Sequence, residues 1–258
     1  YTGNFADSGA TNVSDLSCAT TYHFVQAFTN EDGETATSSD ATFTTSDCTG
    51  GGGGGGGGYA FANGSGTALD PYIIHSCEDL AGVNDYLDSD FLLDTDLDCS
   101  EMGNDVMIGS FLSDPFNGTF DGDTHTITVD IDDLAELGVG LFRMVYGGSI
   151  QDLTVDGTVT GEDVTGSVAG IAVDSVFENV HASSTVSSLV ADSPEYPFTG
   201  TGGIVGGLFG GLIDNATFTG FVGAPIAAGG SAGFVLNDLS TGPGSIISRS
   251  SSNLYIYA

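Results

Sequence analysis

Aspartates at alternating positions are the residues of this sequence best suited to chemistry. Asp94, Asp96 and Asp98 are spaced two apart, so on a β-strand their three carboxylates share one face. Carboxylates this close ionise freely only when a cation or water screens them, and calcium takes about six to eight oxygen ligands. The pattern predicts a calcium site, with Asp121 and Asp123 as further candidate ligands and solvated turns as the alternative.

The sequence offers little for catalysis. A pair of carboxylates discriminates nothing among 35 acidic residues, and the only basic residues are Arg143 and Arg249. No nucleophile-elbow motif is present, and the histidines lie in strand-like segments, at His23, His75, His125 and His181. We predict that the chain is not an enzyme, that no cofactor is required, and that Arg143 forms a structural ion pair.

Four cysteines allow three disulfide connectivities. Their even number in a glycine-rich chain without lysine indicates an extracellular disulfide framework. We favour the local pairs, Cys18 with Cys48 and Cys77 with Cys99, because each pair falls inside one expected module. In a secreted protein, the Asn-x-Ser/Thr motifs are candidate glycosylation sites, at Asn12, Asn63, Asn117 and Asn215.

The charge is extreme and one-sided. The 258 residues carry 35 acidic and 2 basic side chains, a net charge of −33. Such a surface repels nucleic acid and anionic membranes, and it suits a secreted, salt-adapted protein. No apolar run is long enough to span a bilayer, and the sequence opens without a signal peptide, as expected of a mature fragment or of part of a longer protein.

The elements that would position these residues are repeated strands. Glycines at positions 138, 166, 203 and 230 each begin a phrase of two short apolar runs separated by a turn, and they lie 28, 37 and 27 residues apart. The runs are rich in Val, Ile and Phe, and none shows helical spacing. Units of this size bury their apolar faces only by stacking on one another, which predicts a parallel β-helix.

This region resembles the GLUG-repeat surface proteins of bacteria and archaea. Gly207-Leu-Phe-Gly210 matches the Gly-Leu-uncharged-Gly box literally and Gly203-Ile-Val-Gly206 conservatively, whereas Gly140-Leu-Phe-Arg143 departs at its last position. The resemblance extends over residues 59–247. It implies a secreted surface protein used for adhesion or as a structural fibre.

The segment before the repeats is predicted to cap the stack. Ser76 is a candidate N-cap for a short helix that reaches Leu87 with Leu80 and Val83 on one face, and the pairing of Cys77 with Cys99 would tie this cap to the first strand. Farther along, the two prolines in Ser187–Pro197 predict a protruding loop. A final apolar strand, Asn253–Ala258, is expected to pair with another chain or to precede further sequence.

Residues 1–49 resemble the last strands of a fibronectin type III domain. Leu16 followed by Tyr22 is similar to that family's tyrosine corner, and Ala41–Thr45 to a closing strand. Only part of a sandwich is present, which predicts that strands from elsewhere complete it. Nine glycines, residues 50–58, would be a linker.

The predicted fold is therefore all-β, a right-handed parallel β-helix preceded by a partial fibronectin III-like β-sandwich segment. We divide the chain into residues 1–49, the glycine linker 50–58, the cap and first coils 59–135, and GLUG-type coils with a C-terminal strand 136–258. The favoured function is an extracellular structural protein that self-associates into filaments by strand complementation. The alternatives are an adhesin stalk that binds glycans or a partner cell through its loops and, more weakly, a polysaccharide-active enzyme.

Overall fold

In the computed structural model, the chain divides into two compact units, residues 1–60 and 61–258. The structure describes residues 21–24, 27–29, 35–44, 59–135, 137–189, 199–225, 227–236 and 244–257. Leu16, Cys18, Cys48, Asn12 and the glycine run lie outside these ranges, so the expectations that concern them stay predictions.

The first unit contains two antiparallel strand pairs. Its strands are β1 (Thr21–Phe24), β2 (Ala27–Thr29), β3 (Thr35–Thr37) and β4 (Ala41–Thr44). Strand β1 pairs with β4, so that Tyr22 lies opposite Phe43, and β2 pairs with β3. The predicted closing strand is thus present over Ala41–Thr44, and the remaining residue of the prediction lies outside the described ranges.

The second unit consists of three parallel sheets. Sheet I contains β5 (Tyr72–Ile74), β6 (Asp90–Leu93), β8 (Thr119–Asp121), β10 (Phe142–Tyr146), β11 (Ser149–Gln151), β14 (Ala169–Glu178), β17 (Val205–Asp214), β20 (Ala232–Leu236) and β21 (Ile246–Ser248). Sheet II contains β7 (Leu97–Asp98), β9 (Thr126–Asp133), β12 (Thr154–Gly161), β15 (His181–Ser188), β18 (Thr217–Gly223) and β22 (Ser251–Tyr257). Sheet III contains β13 (Val164–Gly166), β16 (Gly200–Gly202) and β19 (Ala228–Gly229).

Successive passages of the chain add neighbouring strands to the same sheets. In sheet II the order is β22-β18-β15-β12-β9-β7, and β12 keeps an eight-residue parallel register with both β9 and β15. We call the strands contributed by one passage a rung. The prediction of an all-β chain built from stacked parallel strands is confirmed.

Columns of apolar side chains fill the space between the sheets. In sheet I one register column carries buried residues on five consecutive rungs, at Phe91, Phe120, Ile150, Phe177 and Ile213. Sheet II supplies the matching column Leu97, Ile127, Val155, Ala182 and Phe218. Alternation along each strand therefore directs one face inward and leaves the other for polar residues.

Glycines occupy the positions at which the chain leaves sheet III and continues into sheet I. The column in structural register is Gly140, Gly166, Gly202 and Gly229. A Cβ on Gly166 would lie 2.6 Å from the amide nitrogen of Gly206, and one on Gly202 would lie 1.9 Å from the carbonyl oxygen of Val205. The repeat starts predicted from the sequence are therefore wrong by two residues at Gly138 and by one at Gly203 and Gly230.

A helix and an aromatic cluster lie at the β5 end of the stack. Helix α1 (Cys77–Gly82) begins at Ser76, whose side chain accepts a hydrogen bond from the amide of Asp79, as predicted. The predicted extension to Leu87 is wrong, because a 3-10 turn over Val83–Asp85 replaces the helix after Gly82. Phe61, Tyr72, Tyr86 and Phe91 pack together beside it, with ring centroids 4.5 to 5.9 Å apart.

Two later predictions need correction. Strand β15 runs through Ser188, so Ser187 belongs to sheet II and not to a loop; residues 190–198 of the predicted loop are outside the described ranges. The final strand β22 begins earlier than predicted, at Ser251, and pairs with β18 of the same chain. No helix among the described residues is long and apolar enough to cross a membrane.

Candidate functional site: a polar corner of stacked turns

The turns from sheet I to sheet II form a corner, and on its last four rungs one residue of each turn has left-handed backbone. Register places Asp152, Asn179, Asn215 and Arg249 above one another, with φ of 49°, 55°, 52° and 48°. Aspartate and asparagine tolerate this conformation best among residues with a side chain. The sequence supplies them on three of the four rungs, and Arg249 occupies the fourth.

The amides of this column bond to one another. Asn215 Nδ2 donates to Asn179 Oδ1 at 2.8 Å, and Asn179 Nδ2 donates to Asp152 Oδ1 at 2.8 Å. We call these three residues the amide ladder. It gives successive turns the same side-chain contact in addition to the backbone bonds of the sheets, as in other stacked parallel strands.

Asp214 lies one position before the ladder and binds the guanidinium of Arg249. Arg249 Nε donates to Asp214 Oδ1 at 2.8 Å, Arg249 Nη2 contacts Oδ2, and the hydroxyl of Ser248 donates to Oδ1 at 2.7 Å. The hydrogen bonds from Arg249, and then that from Ser248, hold the pKa of Asp214 well below its usual range. The same contact raises the pKa of Arg249.

Three of the predicted calcium ligands are exposed side by side at this corner. Asp94, Asp96 and Asp98 alternate with less exposed residues, as the two-residue spacing predicts. Each has a different partner. Asp94 contacts His75 at 2.7 Å, Asp96 contacts His125 at 3.1 Å and accepts from the amide of Thr126, and Asp98 accepts from Ser100.

These contacts shift the titration of several groups. The hydrogen bond from the amide of Thr126, followed by that from His125, lowers the pKa of Asp96. The bonds from the side chain and amide of Ser100 lower the pKa of Asp98. The hydrogen bond to Asp94 and the charge of that carboxylate raise the pKa of His75.

Asp121 and Asp123 lie at the same corner on the β8 rung. Asp121 accepts from the amide of Asp123 at 2.9 Å and from Gln151 Nε2 at 2.8 Å, so its carboxylate bridges two rungs. Within the described ranges, no three His, Cys, Asp or Glu side chains converge as a metal-binding group. The five predicted ligands lie in or beside the turns of this corner, and Asp94, Asp96, Asp98 and Asp121 have hydrogen-bonding partners there.

The histidines also pair mainly with acidic groups. The contacts are His23 with Asp40 at 2.7 Å, His75 with Asp94 and His125 with Asp96 as above, and His181 with the hydroxyl of Thr217 at 2.6 Å. These pairings stabilise local turns and strands.

A buried ion pair lies apart from the corner. Arg143 Nη2 bonds to Asp133 Oδ2, with 15% and 8% of their side chains exposed, so the predicted ion pair is confirmed. Asp133 ends β9 and is buried. The sequence pattern could have indicated this burial. Ile127, Val129 and Ile131 alternate along β9, and continuing the alternation puts Asp133 on the same, inward face.

The predicted disulfide and glycosylation residues occupy different parts of the second unit. Cys77 and Cys99 are joined by a disulfide, with Cα atoms 5.6 Å apart, which links α1 to the segment after β7. Asn63, Asn117 and Asn215 are all exposed. Asn63 precedes β5, Asn117 precedes β8, and Asn215 belongs to the amide ladder.

Comparisons with known proteins give distant likenesses. No known family model matches the chain, so GLUG-repeat and fibronectin membership remain resemblances. The chain is 32% identical over 161 residues to Halomucin of Haloquadratum walsbyi, a match that covers 55% of this chain and 2% of that protein. A Bacteroides ovatus structure described as a "putative immunoglobulin A1 protease" aligns over 76% of this chain and 80% of its own, with 18% identity and a TM-score of 0.47. The last likeness is too distant to carry an argument.

Proposed function

We propose that the chain is a structural segment of an extracellular surface protein. The observation that carries this proposal is the continuous register of sheet II, in which successive rungs present the same outward positions over a closed apolar core. A net charge of −33 keeps such a surface hydrated and in solution at high salt. The partial similarity to Halomucin of Haloquadratum walsbyi supports the same role.

The extracellular location is supported by the disulfide. Cys77–Cys99 closes a segment of 22 residues at the cap, and such bonds persist in oxidising compartments. A secreted, cell-surface location is therefore proposed together with the structural role.

We propose the right-handed form of the β-helix for the second unit. Crossovers between parallel strands of one sheet are right-handed in the great majority of proteins, because twisted strands pack back onto the sheet in that sense. Sheets I and II consist throughout of such crossover connections. We propose both the β-helix arrangement and its handedness, and they rest on the parallel pairing of the strands described above.

Self-association is proposed to occur through strand edges. Among the described strands, β20 and β22 stand at one end of the orders of sheets I and II, and β5 and β7 stand at the other. The outer side of β5 is already partly paired, because the amide of Ile73 donates to the carbonyl of Asn63 at 3.2 Å, so β20 and β22 are the favoured edges. A strand at such an end presents backbone N–H and C=O groups that another strand can pair with. The first unit, which resembles part of a sandwich, would offer a second edge for strand complementation.

The test is the mass and shape of the purified chain in molar salt, by light scattering and negative-stain microscopy. The proposal expects concentration-dependent oligomers or fibres. A chain that stays monomeric at all concentrations would overturn self-association. A parallel sample with EDTA tests the predicted calcium requirement, since loss of oligomers there would show that a divalent cation holds them.

A second candidate function is glycan binding, as in an adhesin. Phe221 and Tyr255 are register neighbours on the outward face of sheet II, and Tyr255 is 76% exposed. Thr185 and Asn253 are exposed close by, which gives the mixture of ring faces and hydrogen-bonding groups that sugars contact. The acidic surface favours neutral glycans over anionic ones.

A glycan array probed with the wild-type chain and with Tyr255→Ser tests this candidate. Binding of the wild-type chain to neutral glycans that is lost in Tyr255→Ser would favour the adhesin hypothesis. Ser183→Ala, on the same face of sheet II, is the control and should bind as the wild type does. Binding unchanged in Tyr255→Ser would place recognition elsewhere. We propose no catalytic role: the pairs His75–Asp94 and His125–Asp96 belong to the hydrogen-bonded corner, and the pair His23–Asp40 belongs to the first unit.

A further inference from the structure

The three glycosylation motifs within the described part of the chain differ in what holds their amides. Exposure does not separate them, because Asn63, Asn117 and Asn215 are all exposed. The chemistry requires more than exposure. The amide nitrogen must be free to turn toward the sugar donor, and the hydroxyl two residues later, which defines the motif, must be accessible with it.

Asn117 meets both conditions. Within the described residues, no hydrogen bond involves its side chain or that of Thr119, although its backbone amide donates to the carbonyl of Leu87 at 2.9 Å. The neighbouring rung carries Gly147 and Gly148 next to it, and a Cβ built on Gly147 would meet no atom within 4 Å. The turn before β8 thus holds its backbone in place while the space beside the carboxamide stays open.

Asn215 fails both conditions. Its Nδ2 donates to Asn179 Oδ1 at 2.8 Å in the amide ladder, with Arg249 as its register neighbour on the next rung. The hydroxyl of its motif, on Thr217, lies 2.6 Å from His181 Nδ1. Modification of this nitrogen in the folded chain would require the ladder to open.

Asn63 is intermediate. Its motif hydroxyl, on Ser65, donates to the carbonyl of Asp70 at 3.4 Å, and a Cβ on Gly64 would lie 1.8 Å from the carbonyl oxygen of Pro71. A Cβ on Gly118 in the Asn117 motif would be packed as closely, 1.9 Å from the carbonyl oxygen of Ser89, so the bonded hydroxyl of Ser65 is what distinguishes the Asn63 motif.

We propose that Asn117 is an N-glycosylation site of the folded chain and that Asn215 is not. In the transfer, Nδ2 of Asn117 displaces the phosphate of a lipid-linked oligosaccharide from its anomeric carbon. An N–C bond forms, the C–O bond to phosphate breaks, and one amide proton leaves with the phosphate, without any oxidation or reduction. The inference rests on the proposed extracellular location, which exposes the chain to such a donor.

The experiment is secretion of the full chain, with Asn12→Gln in the background, from a host that carries out asparagine-linked glycosylation. Occupancy is measured by mass spectrometry of peptides after enzymatic removal of glycans in heavy-oxygen water. We expect occupancy at Asn117 at least tenfold above that at Asn215. Thr119→Val should abolish the label at Asn117 and leave the melting temperature unchanged.

The variant Asn179→Ser separates geometry from sequence context. Combined with His181→Ala, which releases the hydroxyl of Thr217, it removes the acceptor that holds the Nδ2 of Asn215 and leaves both motifs intact, so occupancy at Asn215 should rise while that at Asn117 stays the same. An empty Asn117 in the secreted wild-type chain, or equal occupancy at the two sites, would overturn the inference. Neither result bears on self-association, which light scattering judges independently.

Discussion

At the scale of single residues, the left-handed corner depends on side chains that tolerate its backbone and bond across rungs. Asn179 combines both properties, since it has φ of 55° and both accepts and donates a ladder hydrogen bond. An alanine would lose the bonds and also pay for the left-handed conformation. A glycine would lose only the bonds.

We predict that Asn179→Ala destabilises the second unit by about 2–3 kcal/mol, from two hydrogen bonds of about 1 kcal/mol each and a backbone cost of about 1 kcal/mol. Asn179→Gly should cost about 1 kcal/mol less than Asn179→Ala. Urea denaturation of both variants measures the difference. Equal losses for the two variants would show that backbone conformation does not matter at this position.

The Asp214–Arg249 pair predicts a dependence on pH. The pKa of Asp214 is lowered in the folded chain, so its contribution to stability is present above the ordinary value of 3.8 and is lost as the pH falls through the folded-state pKa. Arg249→Gln removes the main cause of this shift. We expect the acid unfolding midpoint of Arg249→Gln to move to higher pH.

Arg249→Lys is the matched variant, because lysine keeps the positive charge but cannot make the bidentate contact with Asp214. The acid unfolding midpoint of Arg249→Lys should lie between those of the wild-type chain and Arg249→Gln. Circular dichroism during acid titration in low salt provides the readout. An unchanged midpoint in Arg249→Gln would contradict the assignment of the lowered pKa to this pair.

At the scale of elements, the glycine column decides whether rungs can stack. Gly202→Ala would bring a Cβ to within 1.9 Å of a backbone oxygen, whereas a Cβ on Gly147 meets nothing within 4 Å. We predict that Gly202→Ala costs at least about 3 kcal/mol or prevents folding. Gly147→Ala should cost about 1 kcal/mol, from its φ of 69° alone.

Thermal melting of these two variants is the measurement. Each variant adds one methyl group at a former glycine, so Gly147→Ala controls for glycine removal as such. Similar melting temperatures for the two variants would contradict the close contact between sheets III and I.

The elements were predictable where the sequence repeats a local pattern. Apolar runs bounded by glycine and asparagine indicated the strands, and Ser76 indicated the start of α1. The exact residue at which each repeat begins was not predictable, because several glycines are adjacent in the sequence. Only the register between neighbouring rungs selects Gly202 over Gly203. The partners of Asp94, Asp96 and Asp121 were not predictable either, since they come from rungs about 19 to 30 residues away.

At the scale of the whole molecule, the net charge of −33 opposes folding through self-repulsion. The distance over which charges act falls from about 10 Å at 0.1 M salt to about 3 Å at 1 M. We predict that the melting temperature rises between these concentrations of sodium chloride. Choline chloride should raise it equally if screening is the cause, and a rise with sodium alone would indicate specific cation binding instead.

The central claim is the parallel register that stacks each rung on the last, and paired cysteines test it directly. Thr158 and Thr185 are register partners on the outward face of sheet II. Adjacent strands place such Cα atoms about 4.8 Å apart, within the range a disulfide bridges, whereas diagonal positions are about 8 Å apart. We predict that the Thr158→Cys/Thr185→Cys chain cross-links rapidly under mild oxidation and that Thr158→Cys/Ser183→Cys does not, as judged by peptide mass mapping. Preferential cross-linking of the diagonal pair, or of neither pair, would contradict the stacked parallel register.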